Sequence, residues 1–174
     1  MTGDVLLAPL LAAAAVLVFA GLAKLWRPEP AARFAATLGV PLPWLFVRVA
    51  AVVEILVGAA ALWQPRPAAA AIAVIYALFA AVVAVQLRRE GSLPCGCLGA
   101  REVAPSRLHL FLNIACVCVG CLAAFAPPPA FATFASVRPL AAVLVGFVGV
   151  AVALLSQAGL VFAPTIGAWQ GGRA

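Results

Sequence analysis

Along the chain, long apolar runs alternate with short stretches where proline, arginine and lysine collect. A helix that crosses about 30 Å of hydrocarbon needs roughly 20 consecutive, mainly apolar residues. Runs at about 5–23, 44–63, 68–87, 106–126 and 139–162 meet that requirement and predict five spans. The first run stops at Lys24-Leu25-Trp26-Arg27-Pro28. Pro41 and Pro43 precede the second, and Pro65 and Pro67 follow it. The third ends at Arg88-Arg89-Glu90, the fourth at Pro127-Pro128-Pro129, and Pro164 lies just past the fifth. Proline lacks a backbone donor, so these positions are read as helix limits. A helix satisfies its own backbone groups in lipid. The predicted fold class is therefore all-α, a single polytopic transmembrane helix bundle of about five spans. Residues 1–4 carry no lysine or arginine, so the first run is read as a retained span and not as a signal peptide. Gly21, Gly58, Gly120, Gly146 and Gly149 lie inside the runs, where small residues let helix backbones approach closely.

Composition agrees with the pattern. The chain is 67% hydrophobic and 9% charged, against about 25% charged residues in a soluble domain. So few charges cannot coat a water-exposed surface, which excludes an ordinary soluble enzyme, a disordered segment and a disulfide-framework miniprotein. The lipid bilayer is the expected surrounding. The net charge of +6 is spread over segment ends, with no zinc-finger spacing and no basic helix, so no nucleic acid is implied. Its distribution speaks instead to orientation. Lys24, Arg27, Arg33, Arg48, Arg88, Arg89, Arg101, Arg107 and Arg173 fall on one side, and only Arg66 and Arg138 on the other. The bias predicts an external N-terminus, with residues 24–43, residues 88–106 and the C-terminus in the cytoplasm.

Candidate chemistry centres on Pro94-Cys95-Gly96-Cys97-Leu98-Gly99, in the 88–105 loop between the third and fourth spans. Two cysteines close a disulfide when their Cα atoms come within about 4.4–6.8 Å, and an extended i, i+2 pair sits at the top of that range. The chain must turn at Gly96, and such a strained ring exchanges readily. Inert loop thiols and a metal site are the other readings of the pair; a structural zinc site wants four ligands, so no metal is expected. Glu54 falls near the middle of the second run. An acid there costs roughly 2.5–3.5 kcal/mol to insert, so it faces the bundle interior, holding a proton or bonding another helix, with Asn113 as the suggested partner. His109 and Asn113 are i, i+4 on one face of the fourth run, and His109 is a candidate base for the Cys95 or Cys97 thiol. Cys116, Cys118 and Cys121 lie further along the same run and read as small hydrophobes, with an electron relay as the rival. Hydrolase triads, phosphate loops and dinucleotide fingerprints are absent, and no cofactor is expected.

Four features together resemble the methylamine utilisation protein MauE family, related to DoxX-like membrane proteins. They are Ala20-Gly21-Leu22-Ala23-Lys24-Leu25 closing the first run, Glu54-Ile55-Leu56-Val57-Gly58 in the second, Cys95-Gly96-Cys97-Leu98-Gly99, and Asn113. The likeness covers roughly residues 5–126 and implies a four-helix core, to which the fifth run adds a C-terminal span. It implies a small multi-pass protein of the bacterial inner membrane, tied to thiol-disulfide redox and to maturation of methylamine dehydrogenase or another exported protein. A thioredoxin-like protein is the partner it implies, acting outside the cytoplasm, whereas the charge bias puts Cys95 and Cys97 inside. A non-enzymatic assembly scaffold and a small proton-coupled transporter using Glu54 are the alternative functions.

Overall fold

The computed structural model describes residues 3–88 and 106–171, with side chains described up to residue 155 apart from Gly3 and Thr37. Seven helices account for the secondary structure of these residues: α1 (Gly3–Trp26), α2 (Glu29–Thr37), α3 (Trp44–Ala60), α4 (Pro65–Arg88), α5 (Arg107–Phe125), α6 (Phe131–Val137) and α7 (Pro139–Gly171). No strand occurs among them. The fold is a polytopic helical bundle. Asp4–Trp26, Pro65–Arg88 and Arg107–Phe125 are long and apolar enough to cross a membrane, and Pro139–Leu155 is a shorter apolar stretch. With 17 residues, α3 is shorter than these three and carries Arg48 and Glu54.

Local chemistry explains where the helices begin and end. Pro65 and Pro67 lie inside the first turn of α4 and not between helices, because the missing N–H belongs to a group that has no intrahelical partner there. Ser106 caps α5 with an extended backbone, and its hydroxyl accepts a hydrogen bond from the His109 backbone N–H at 3.1 Å. The stretch expected to be a loop, 24–43, contains α2. Its C-terminus is closed by bonds from Val40 N to Ala35 O and from Gly39 N to Ala36 O, with Gly39 at φ 82. That is a Schellman closure, which places a glycine in the left-handed region. The short α6 also fell outside the predicted elements; its first N–H, on Phe131, donates to Leu62 O at 2.9 Å. Pro164, placed beyond the last run, lies within α7.

Packing makes α1 the central helix. It touches α3, α5 and α7 extensively, while α4 packs mainly on α5. Half of the apolar window of α1 is buried, with Leu7, Leu10 and Leu17 fully enclosed. Glycines set the spacing. A Cβ added at Gly21 would lie 2.7 Å from Ala51 O, and one at Gly58 would lie 2.8 Å from Ala14 O. Residue numbers therefore rise along α1 as they fall along α3, so the two helices are antiparallel. Gly120 makes the same approach to α4, where a Cβ would meet Ala69 O at 2.8 Å and Ala73 Cβ at 2.9 Å. The Tyr76 hydroxyl ties α4 to α1 by donating to Ala13 O at 2.8 Å. Large apolar side chains such as Leu56, Leu78, Phe111 and Phe147 point outward, as expected where the surrounding medium is hydrocarbon.

Overfilling such contacts forces backbone shifts that cost about 1–3 kcal/mol. Gly120→Ala and Gly58→Ala are therefore expected to lower the unfolding midpoint of the full chain in bicelles. Gly146→Ala, where an added Cβ meets nothing within 4 Å, leaves that midpoint unchanged or raised.

Candidate functional site

The bundle interior is apolar except at one end. Lys24, Glu54, Gln86, His109 and Asn113 are all buried, each at most 5% exposed. The C-terminal ends of α1 and α4 meet the N-terminal ends of α3 and α5 there, because consecutive long helices run antiparallel. Helical side chains tilt toward their own N-terminus. Lys24, two residues from the end of α1, thus leans inward along the helix, and Glu54 leans toward it from the antiparallel α3. Lys24 Nζ donates to Glu54 Oε1 at 2.5 Å. The ammonium also lies 4.7 Å from the centroid of the Phe79 ring, a cation–π contact that supplements the ion pair. Phe79 in turn meets Tyr76 edge-on, with ring centroids 6.0 Å apart.

Tyr76 continues the polar row onto α5. Its hydroxyl donates to Ala13 O, and Cys116 of α5 packs against the cluster to which Tyr76 belongs. Cys116, Asn113 and His109 follow one another on a single face of α5 at helical spacing. Three polar atoms in this region have no hydrogen-bond partner: Glu54 Oε2, Asn113 Nδ2 and His109 Nδ1. Burial of unpaired polar groups costs on the order of 1–3 kcal/mol each, so native proteins seldom leave them so.

Several sequence expectations meet this geometry. Glu54 faces the interior, yet its partner is Lys24, whereas Asn113 had been the suggested one. By sequence Lys24 is an orientation signal at a span end; in the structure its side chain leans back along α1 to reach Glu54, which leans toward it from the antiparallel α3. The clue in the sequence was that an acid set deep in an apolar run requires a cation within reach. Arg48 is exposed, like Arg27 and Arg88. Among the three α5 cysteines, Cys116 is half-buried against Tyr76, and Cys118 and Cys121 are exposed on the outer surface. Their face is not the one that meets the interior. Cys95 and Cys97, with the whole of 89–105, lie outside the described residues. His109 therefore has no described contact with either thiol. Among the described residues no three His, Cys, Asp or Glu side chains converge as metal ligands would.

A polytopic helical bundle with an enclosed lysine–glutamate pair defines a class of small integral membrane protein. The family described as methylamine utilisation protein MauE matches residues 3–126, which takes in α1 to α5 and the whole polar row. The chain belongs to that family and is a membrane protein of methylamine utilisation. No curated protein and no solved structure matches it.

Breaking a buried ion pair from one side leaves an uncompensated charge and costs about 3–5 kcal/mol, whereas replacing both partners by apolar groups is often close to neutral. Lys24→Met alone and Glu54→Leu alone should each destabilise the bundle strongly. The double variant Lys24→Met/Glu54→Leu should be more stable than Lys24→Met in reversible unfolding from mixed micelles. Additive losses would show that the pair contributes no coupling.

Proposed function

We propose that this chain is a five-span thiol-disulfide exchange protein of the bacterial inner membrane, serving the maturation of exported proteins. Cys95 and Cys97 are its redox pair. The observation that carries the reading is the sequence Cys95-Gly96-Cys97, which lies in the chain between the end of α4 and the start of α5. Membership of the MauE family supports the same reading.

The chemistry balances as an exchange. A thiolate of a thioredoxin-like partner attacks one sulfur of the Cys95–Cys97 disulfide, forming a mixed disulfide and releasing the other sulfur as thiolate. The partner's second thiolate then attacks the mixed disulfide. The partner ends oxidised, Cys95 and Cys97 end as two thiols, and the two protons of the partner's thiols are taken up by them. The reverse sequence oxidises the pair. Arg88, Arg89 and Arg101 flank the motif in sequence, and nearby cationic groups favour the reactive thiolate.

For orientation we propose an external N-terminus with the cysteine segment in the cytoplasm. With Lys24 enclosed by its ion pair, eight basic residues against two still carry that bias.

A scaffold for an assembly is the second reading, favoured by the close backbone approaches at Gly21, Gly58 and Gly120, which make a rigid support. The two readings diverge on the cysteines. Under exchange, Cys95→Ser and Cys97→Ser each alter capture of a thioredoxin-like protein as a mixed disulfide, seen on non-reducing gels. Under the scaffold, Cys95→Ala/Cys97→Ala keeps full function and neither serine variant captures a partner. A membrane-impermeant maleimide, applied to intact cells and to lysates with and without reductant, reports the side and the redox state together. Labelling of both thiols only after lysis is the expected pattern.

A further inference from the structure

The three unpartnered atoms share one polar row. Glu54 Oε2 is an acceptor beside the Lys24 ammonium, Asn113 Nδ2 is a donor, and His109 Nδ1 serves as either. Each belongs to a side chain that is at least nine-tenths buried. Glu54 meets Lys24, Lys24 lies over the Phe79 ring, Phe79 meets Tyr76 edge-on, and Cys116 packs against the cluster that includes Tyr76. From Cys116 the row returns along the inner face of α5 through Asn113 to His109, in the first turn of that helix. His109 thus stands at the bundle end and the ion pair deeper within. Buried polar groups without protein partners are the positions at which proteins hold ordered water, each water making about three hydrogen bonds.

We propose that His109, Asn113 and the Lys24–Glu54 pair line an internal water site, entered from the end of the bundle where α5 begins, through which protons exchange between the ion pair and the aqueous face. Asn113 Nδ2 donates to a water oxygen, Glu54 Oε2 accepts from a water O–H, and His109 Nδ1 joins the same file at its outer end. Asn113 holds the water, and His109 and Glu54 are the side chains that give and take protons. One proton arrives from bulk water as another leaves by the same route, so the exchange consumes no oxidant, reductant or second substrate. Tyr76 and Cys116 border the file, with the Tyr76 hydroxyl donating to the Ala13 carbonyl. The site goes beyond the thiol chemistry proposed above and does not depend on it.

The sequence makes the test direct, because Lys24 is the one lysine and His109 the one histidine in the chain. The full chain, labelled with nitrogen-15 lysine and histidine in lipid bilayers, gives one ammonium signal and one imidazole. Magnetisation passed from water protons should reach Lys24 Nζ and His109 Nδ1. Asn113→Leu should abolish transfer to Lys24, Asn113→Ser should preserve it, and the outward-facing Ile114→Leu should leave it unaltered. His109→Leu supplies a second interruption should Asn113→Leu fail to fold, judged by helical content. A wild-type ammonium that receives nothing from water overturns the proposal, as does transfer unchanged in a folded Asn113→Leu or His109→Leu. Cys95→Ser/Cys97→Ser should leave the transfer intact, which separates this site from the exchange reaction.

Discussion

In hydrocarbon a charge must find its counter-charge or be expelled, and that constraint organises the interior of this bundle. Lys24 of α1 and Glu54 of α3 lie 30 residues apart in sequence and meet at 2.5 Å. Their encounter requires α1 and α3 to lie antiparallel, close together and in one register. The glycines supply the closeness: Gly21, at the pair's own level beside Glu54, and Gly58, about two turns further along, press α1 and α3 together. A helix sliding by one turn, about 5.4 Å, would separate the charges and bring side chains against backbone. Electrostatics and packing therefore select the same alignment, the kind of agreement between levels that gives a sequence one structure.

The second pair of helices repeats the arrangement with softer chemistry. Gly120 seats α5 on α4, and Tyr76 bridges to α1 and belongs to the cluster that Cys116 packs against. Because α1 touches α3, α5 and α7, most long contacts of the bundle pass through it. Polar groups gather at one end and the opposite half is filled by alanine and leucine, as in the cluster of Leu10, Ala13, Leu17, Ala69 and Ile72. Such a division gives the protein a dry half for cohesion and a polar half for chemistry.

Periodicity and length made the apolar helices legible, because twenty apolar residues in a row have few other fates. The start of α5 was equally plain, since an apolar run begins near residue 106, where Ser106 caps the helix. By contrast α2 and α6 are nine and seven residues long, too short for an apolar pattern to rise above their flanks. Prolines were uneven guides: Pro65 and Pro67 do mark a helix limit, as the first turn of α4, whereas Pro164, read as lying past the last run, lies within α7. Within the polar row, Glu54, His109 and Asn113 were recognised as unusual from residue type alone. The role of Lys24 was hidden because a cation at a span end looks the same whether it points to water or to a buried acid. Only the tilt of side chains on antiparallel helices distinguishes the two.

Enclosure of Lys24 has a practical outcome for anyone handling the protein. Its side chain is 5% exposed and sits under the aromatic ring of Phe79, and no other lysine is present in the sequence. Acylating reagents will find no lysine side chain to modify on the folded chain, and modification at Lys24 will report unfolding in place of surface. Thiol or arginine chemistry is the usable handle.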